Sequence, residues 1–182
     1  MPQVQIRPAV ATDLPTLMEM DHSCASDYVW QMDLAQGEGQ AGAAFREIRL
    51  PRSIQVAYPR PVARLADEWS RRAGMLVAAT GAGLAGYVRL TEKVVPQTAW
   101  ITDLAVAPRL RRQGVGAALV LAAQAWAAER GSRQAVLETT STNIAGIRLA
   151  QKLGYEFCGY NDHYYLTQDI ALFFGRALVF VV

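Results

Sequence analysis

The sequence predicts a single α/β domain over residues 1–182, a mixed sheet with flanking helices, and three features carry that reading. Residues 101–130 read as a strand, a basic turn and a glycine-relieved entry into a long Ala/Leu-rich helix. Residues 135–153 repeat the order of strand then helix, closed by Gly154. Around these two units lie short apolar runs separated by glycine and proline turns, the pattern of strands paired in a sheet. A chain of 182 residues is one domain of ordinary size with a sizeable core, and its 52% apolar content excludes disorder.

Taken in order, residues 4–7 alternate as a first strand, and Thr12 is placed to cap a helix that reaches about Met20. Residues 36–42 include Gly37, Gly39 and Gly42 and read as a flexible loop of the kind that edges a binding site. Residues 45–49 and 53–57 alternate with period two, which predicts two short strands. Pro59 and Pro61 bracket a turn into residues 62–73, whose apolar positions recur at helical spacing. Residues 76–90 form a hairpin around Thr80-Gly81-Ala82-Gly83, and residues 100–106 are the next strand. A helix over 114–130 ends at Gly131, a strand follows over 135–138, and a helix over 143–153 stops at Gly154. Strands over 156–160 and 168–174 close the sheet.

The chemistry concentrates between residues 104 and 117. Gly114 and Gly116 allow close backbone approach to a ligand. The first turn of the helix that follows carries unpaired N–H groups and a partial positive charge, so it receives a phosphate readily. Arg109, Arg111 and Arg112 add cationic side chains. Two kinds of site fit. A dinucleotide fingerprint would read G-x-G-x-x-G with an acid some twenty residues on, which Glu138 could supply. Here Leu119 stands where the third glycine belongs, and seven residues separate Val106 from Gly114.

The second kind of site matches more closely. Arg111-Arg112-Gln113-Gly114-Val115-Gly116 has the form Q/R-x-x-G-x-G/A and follows Leu104-Ala105-Val106-Ala107-Pro108. Downstream stand Leu137-Glu138-Thr139-Thr140-Ser141-Thr142-Asn143 and Ile147-Arg148-Leu149-Ala150-Gln151-Lys152-Leu153-Gly154-Tyr155. Together these resemble the two motifs of the GNAT superfamily of N-acetyltransferases, over about residues 75–175. Residues 137–143, 159–165 and 170–174 are most similar to the streptothricin acetyltransferases of that superfamily. The resemblance implies a GNAT fold with a splayed pair of central strands, and acetyl-CoA as cofactor. It implies that the backbone N–H groups of Arg112, Gln113, Gly114, Val115, Gly116 and Ala117 hold the pyrophosphate beside Arg111. Leu104, Ala105 and Val106 would polarise the thioester, and Asn143, alternatively a helix cap, would contact the pantetheine arm. The cofactor should lie between the strand ending at Val106 and that ending at Glu138, the two splaying after Val106.

Transfer to an amine requires a neutral nucleophile, because an ammonium has no lone pair and its pKa lies near about 10. Asp103 and Glu138 are the candidate bases, and a bulge would decide which face Asp103 occupies. The family's general-acid tyrosine, four residues before the glycine of the second motif, is Ala150 here. Tyr155 or Tyr160 could substitute, or water could. A non-catalytic acyl-CoA sensor and a nicotinamide-dependent oxidoreductase are the alternative functions.

The expected acceptor is a primary amine of a small molecule, an antibiotic included, or of a peptide N-terminus, entering beside Gly37–Gly42 and a 160–165 hairpin. A net charge of +2 argues against a nucleic-acid partner. Cys24 and Cys158 are isolated, and His22 and His163 lack ligand spacing, so no metal site is expected. The start shows no secretory leader, and the apolar run at 170–182 is broken by Gly175 and Arg176 and too short for a bilayer. The sequence therefore reads as soluble and cytoplasmic, and it allows a homodimer.

Overall fold

The computed structural model describes residues 3–69, 74–92 and 95–178. Seven strands form one sheet in the order β1 (Gln5–Pro8), β4 (Gly74–Thr80), β5 (Gly83–Thr91), β6 (Thr98–Val106), β7 (Gln134–Thr140), β9 (Ala171–Ala177) and β8 (Glu156–Asn161). All neighbours are antiparallel except β6 and β7. Strands β2 (Cys24–Gly37) and β3 (Gln40–Val56) pair separately as a long ribbon.

Helices α3 (Val115–Glu129) and α4 (Ile144–Lys152) cover one face of the sheet, and α1 (Leu14–Glu19) and α2 (Arg64–Glu68) cover part of the other. In α3 the buried positions Val115, Leu119, Val120, Ala123 and Ala127 follow helical spacing and pack on Leu76, Val88 and Ile101. Gly131, at φ +83°, supplies the left-handed residue that ends it. On the opposite face Leu14, Leu17 and Leu65 pack on Met75, Val77, Tyr87 and Ala105.

Several expectations shift. Thr12 is not a cap but lies inside a short 3-10 turn, Ala11–Asp13, where Asp13 accepts from the Val10 N–H at 2.9 Å. The helix expected over 62–73 covers only Arg64–Glu68, and residues 70–73 lie outside the described residues. Residues 36–42 are not a loop beside the cavity. They form the tip of the β2–β3 ribbon, which turns at Glu38 and Gly39. The two short strands expected at 45–49 and 53–57 are parts of the single strand β3. The ribbon is held at its base. Trp30 donates its N–H to the Ser141 carbonyl at 2.8 Å, and its ring sits among Phe45, Phe157 and Phe174. Arg148 of α4 pairs with Glu47 at 2.6 Å and lies over the Tyr28 ring. Among the described residues no helix is long and apolar enough to cross a membrane.

Candidate active site

Strands β6 and β7 pair only where Thr98–Ile101 meets Gln134–Leu137. Beyond those residues they part, and a cavity of about 600 Å³ opens between Thr102–Val106 and Leu137–Thr140. The parting begins at Ile101, earlier than the expected point after Val106. The register gives the reason. Arg89 pairs with Asp103 and Leu90 with Ile101, so Thr102 is an extra residue on β6. Such a bulge bends its strand and leaves the ladder unpaired. It also reverses the alternation, so that Ile101 packs under α3 while Asp103 lies on the opposite face with Ala105 and Tyr87.

At one end of the cavity lies the turn that the glycines predict. Arg112 (φ +62°) and Gly114 (φ +88°) both take left-handed conformations before α3 begins. The N–H groups of Val115, Gly116 and Ala117 have no carbonyl one turn earlier to bond within the helix. Arg112, Gly114, Gly116, Ala117 and Asn143 line the cavity, as do Leu104, Ala105 and Val106.

Arg111 lines it too, but its guanidinium is already used. Nε donates to the Val106 carbonyl at 2.8 Å and Nη2 to the Asp21 carbonyl at 2.9 Å, tying the turn to β6 and to the residue before His22. Two expected side chains lie elsewhere. Gln113 donates to the Arg109 carbonyl at 2.9 Å on the surface, and Val115 is buried in the core, which leaves only their backbones facing the turn. Sequence reasoning missed Arg148 and Lys152, cations that α4 adds to the lining.

Asn143 caps α4, its side chain accepting from the Gly146 N–H at 3.0 Å, while it also lines the cavity. Both roles weighed from sequence are thus compatible. The Thr139 hydroxyl is buried on the cavity wall with no hydrogen-bond partner, an orphan that a polar ligand arm would satisfy. Anion-ready backbone at one end, a parted pair of strands and this orphan hydroxyl fit the thioester cofactor.

The other end holds two buried carboxylates, each paired with an arginine. Glu138 is buried, pairs with Arg60, and accepts from the Tyr165 hydroxyl at 2.7 Å. Arg60 also donates to the Thr102 carbonyl at 2.8 Å, bridging the bulge to β7. Burial opposes its charge, yet Glu138 and Asp103 more than offset that and raise its pKa. Asp103, also buried, accepts from the Tyr58 hydroxyl and from Thr102 at 2.9 Å, with Arg89 at 3.4 Å. Burial, then the Asp103 and Tyr87 neighbours, hold the Tyr58 phenol well above its ordinary pKa. Burial likewise raises Tyr165, with Glu138 adding to it.

Tyr58, Arg60 and His22 all line this end, and nothing in their local sequence marked them. Tyr155 does not line it. It is buried in the core with its hydroxyl accepting from Gln124 at 3.0 Å, so it is not placed to protonate a leaving group. Tyr160 packs against Phe45 instead, and Ala150 is fully buried. Among the described residues no group of His, Cys, Asp and Glu could hold a metal ion.

Residues 43–155 match the family model described as "Acetyltransferase (GNAT) family". The chain is 27% identical over 167 residues to a streptothricin acetyltransferase of Streptomyces lavendulae, covering 88% of this chain and 86% of that one. Its structure is similar to the crystal structure of a nourseothricin acetyltransferase, at TM-score 0.82 and 25% identity over 97% and 99% of the two chains. It is also similar in fold to a Bacillus anthracis protein solved in complex with acetyl coenzyme A, at TM-score 0.75 and 20% identity, covering 97% of this chain and 98% of that one.

Proposed function

The chain belongs to the GNAT acetyltransferase family, and from that premise we propose that it acetylates a primary amine of a streptothricin-class antibiotic, such as nourseothricin. That it is an acetyl-CoA-dependent acyltransferase follows from the family; the nicotinamide reading falls with it. Similarity along nearly the whole chain to two enzymes of that antibiotic class supports the acceptor. The observation that carries it is the cavity end where buried Asp103 and Glu138, each paired with an arginine, and the hydroxyls of Tyr58 and Tyr165 present oxygen acceptors to an amine.

Acetyl-CoA brings the activated acetyl thioester. The N–H groups at residues 112–117 hold its pyrophosphate, and the β6 edge turned away from β5 polarises the thioester carbonyl, where charge develops in the transition state. Asp103 takes the amine proton. Glu138, already paired with Arg60 and Tyr165, keeps the bulge and β7 in register. The leaving thiol has a pKa of about 8.5, so it departs without a dedicated acid at the Ala150 position. Catalysis here needs no titration of Tyr155.

Thiol release measured with nourseothricin, an aminoglycoside, a polyamine and a peptide N-terminus tests the reading. Nourseothricin should be turned over with the highest kcat/KM of the four. Turnover of the peptide alone, or silence with all four, would reject the acceptor.

A further inference from the structure

Behind Asp103 runs a line of hydrogen-bonded groups that acetyl transfer alone does not explain. The Tyr58 hydroxyl donates to Asp103. The Tyr87 hydroxyl donates to that of Tyr58 at 3.5 Å, the outer limit of a hydrogen bond, and lies 3.1 Å from His22 Nε2. The rings are packed together, with His22 centroids 4.9 Å from Tyr58 and 5.7 Å from Tyr87. Tyr87 is fully buried, so its hydroxyl has these neighbours rather than solvent. His22 is half-buried, lines the cavity, and follows the exposed Asp21 at the molecular surface.

We propose that Asp103, Tyr58, Tyr87 and His22 form a relay that carries the acceptor's proton away from Asp103, with His22 as its terminal acceptor. The inference rests on the amine-acetylation reading above. The proton released as the N–C bond forms and the C–S bond breaks ends on the departing thiolate, and the proton that the ammonium loses before attack passes to Asp103. Both phenol hydroxyls, which donate toward Asp103 at rest, then rotate: Asp103 returns the proton to the Tyr58 oxygen, Tyr58 passes its own proton to Tyr87, and Tyr87 passes its proton to His22 Nε2. The phenols end as they began, and one proton has moved from the amine to the imidazole, which releases it to water.

The surroundings suit each part. Burial holds both phenols above their ordinary pKa, so they stay protonated and act as carriers. His22 also hydrogen-bonds the Met20 backbone. Because Nε2 faces Tyr87, that bond falls to Nδ1, which leaves Nε2 as the acceptor. Burial lowers the His22 pKa and Arg111 adds to this, while Asp103 and Asp21 oppose it. The ring is therefore neutral at pH 7 and ready to receive a proton. His22, Tyr58 and Tyr87 act through Asp103 and are positioning and relay residues.

Two readouts test the relay. The chain holds two histidines, so nitrogen NMR of the side chains resolves His22 without acceptor. It should show a neutral imidazole protonated at Nδ1 at pH 7, and its titration should shift in Tyr87→Phe and in Asp103→Asn. An Nε2-protonated ring, or a titration indifferent to both changes, overturns the relay even if nourseothricin is acetylated.

In turnover of nourseothricin, His22→Gln and Tyr87→Phe should each lower kcat about tenfold, with KM for acetyl-CoA unchanged. His22→Gln should also remove the acidic limb of the kcat profile, and the double variant should be no slower than either single one. Imidazole should restore rate to His22→Gly, and His163→Gln is the surface control. Additive losses, or an unchanged limb in His22→Gln, overturn it. If the wild type does not turn over nourseothricin, the acceptor assignment fails, and NMR alone then judges the relay.

Discussion

Gly86 lies at the point where the sheet is tightest behind the proposed thioester site, and replacing it with alanine is a sensitive probe of that site. It pairs with Val106 across β5 and β6. A Cβ there would lie 3.0 Å from Val106 Cα, 3.3 Å from the Ala105 carbonyl carbon, and closer still to that carbonyl's oxygen. These are backbone atoms and cannot rotate aside. Restoring van der Waals separations of about 3.5–4.0 Å moves β6 by about 1 Å at Ala105 and Val106. Overpacking of this kind costs about 1–3 kcal/mol of stability. A misplacement of about 1 Å at a reacting group costs on the order of 100-fold in rate.

The pyrophosphate turn is anchored to the Val106 carbonyl by Arg111 but would hold its ligand through its own backbone N–H groups, so cofactor affinity should change less than rate. Gly86→Ala should therefore bind acetyl-CoA within about tenfold of wild type by calorimetry, on the order of 1.4 kcal/mol. Its kcat for nourseothricin should fall about 100-fold. A folded variant with wild-type kcat would show that the β6 edge does not hold the reacting carbonyl.

Gly116→Trp should abolish acetyl-CoA binding in calorimetry, since Gly116 lines the cavity and an indole there would fill the turn, whereas a bare Cβ would make only ordinary contacts with Leu149 at 3.4 Å and Val106 at 3.7 Å; undiminished binding would move the cofactor elsewhere. Asp103→Asn should lower kcat by about 100-fold or more, with the residual rate climbing with pH because only spontaneously neutral amine reacts. Glu138→Gln should keep the shape of the profile, and the reverse pattern would make Glu138 the base. Asp13, which accepts from Arg7 at 2.7 and 2.8 Å, is held below the usual carboxylate range chiefly by that hydrogen-bonded pair. A depressed acid stabilises above its unfolded pKa of about 3.9 and loses this as pH falls through the folded value. Asp13→Asn should thus cost about 1 kcal/mol at pH 7, allowing for solvent screening at Arg7, and the gap to wild type in urea melts should narrow as pH falls through the folded pKa.

The turn and the helix cap proposed to hold the cofactor were legible in the sequence because they form locally. Gly114, Gly116 and Asn143 act through the turn or cap they themselves form, so spacing along the chain reports them. The acceptor half was not. Tyr58 and Arg60 reach Asp103 and Glu138 across the fold from the segment after β3, and His22 arrives from the far side of β2. The face taken by Asp103 depends on one extra residue, Thr102, which no period-two pattern announces. Tyr155 looked available because its hydroxyl is polar, yet Gln124 satisfies that hydroxyl inside the core. The ribbon was underestimated because a two-stranded element exposed on both faces shows little apolar alternation. Polar Asp27, Gln31, Asp33 and Gln36 run through β2, and only its base around Trp30 is packed.

The proposed reaction is direct acetyl transfer from acetyl-CoA to an antibiotic amine in the parted β6–β7 cavity. Mass spectrometry of nourseothricin after incubation with enzyme and acetyl-CoA tests it most directly, with free thiol measured in the same tube. A singly acetylated antibiotic should form in step with thiol, and none with Gly116→Trp. Acetyl-CoA that binds tightly while the antibiotic stays unmodified would contradict it.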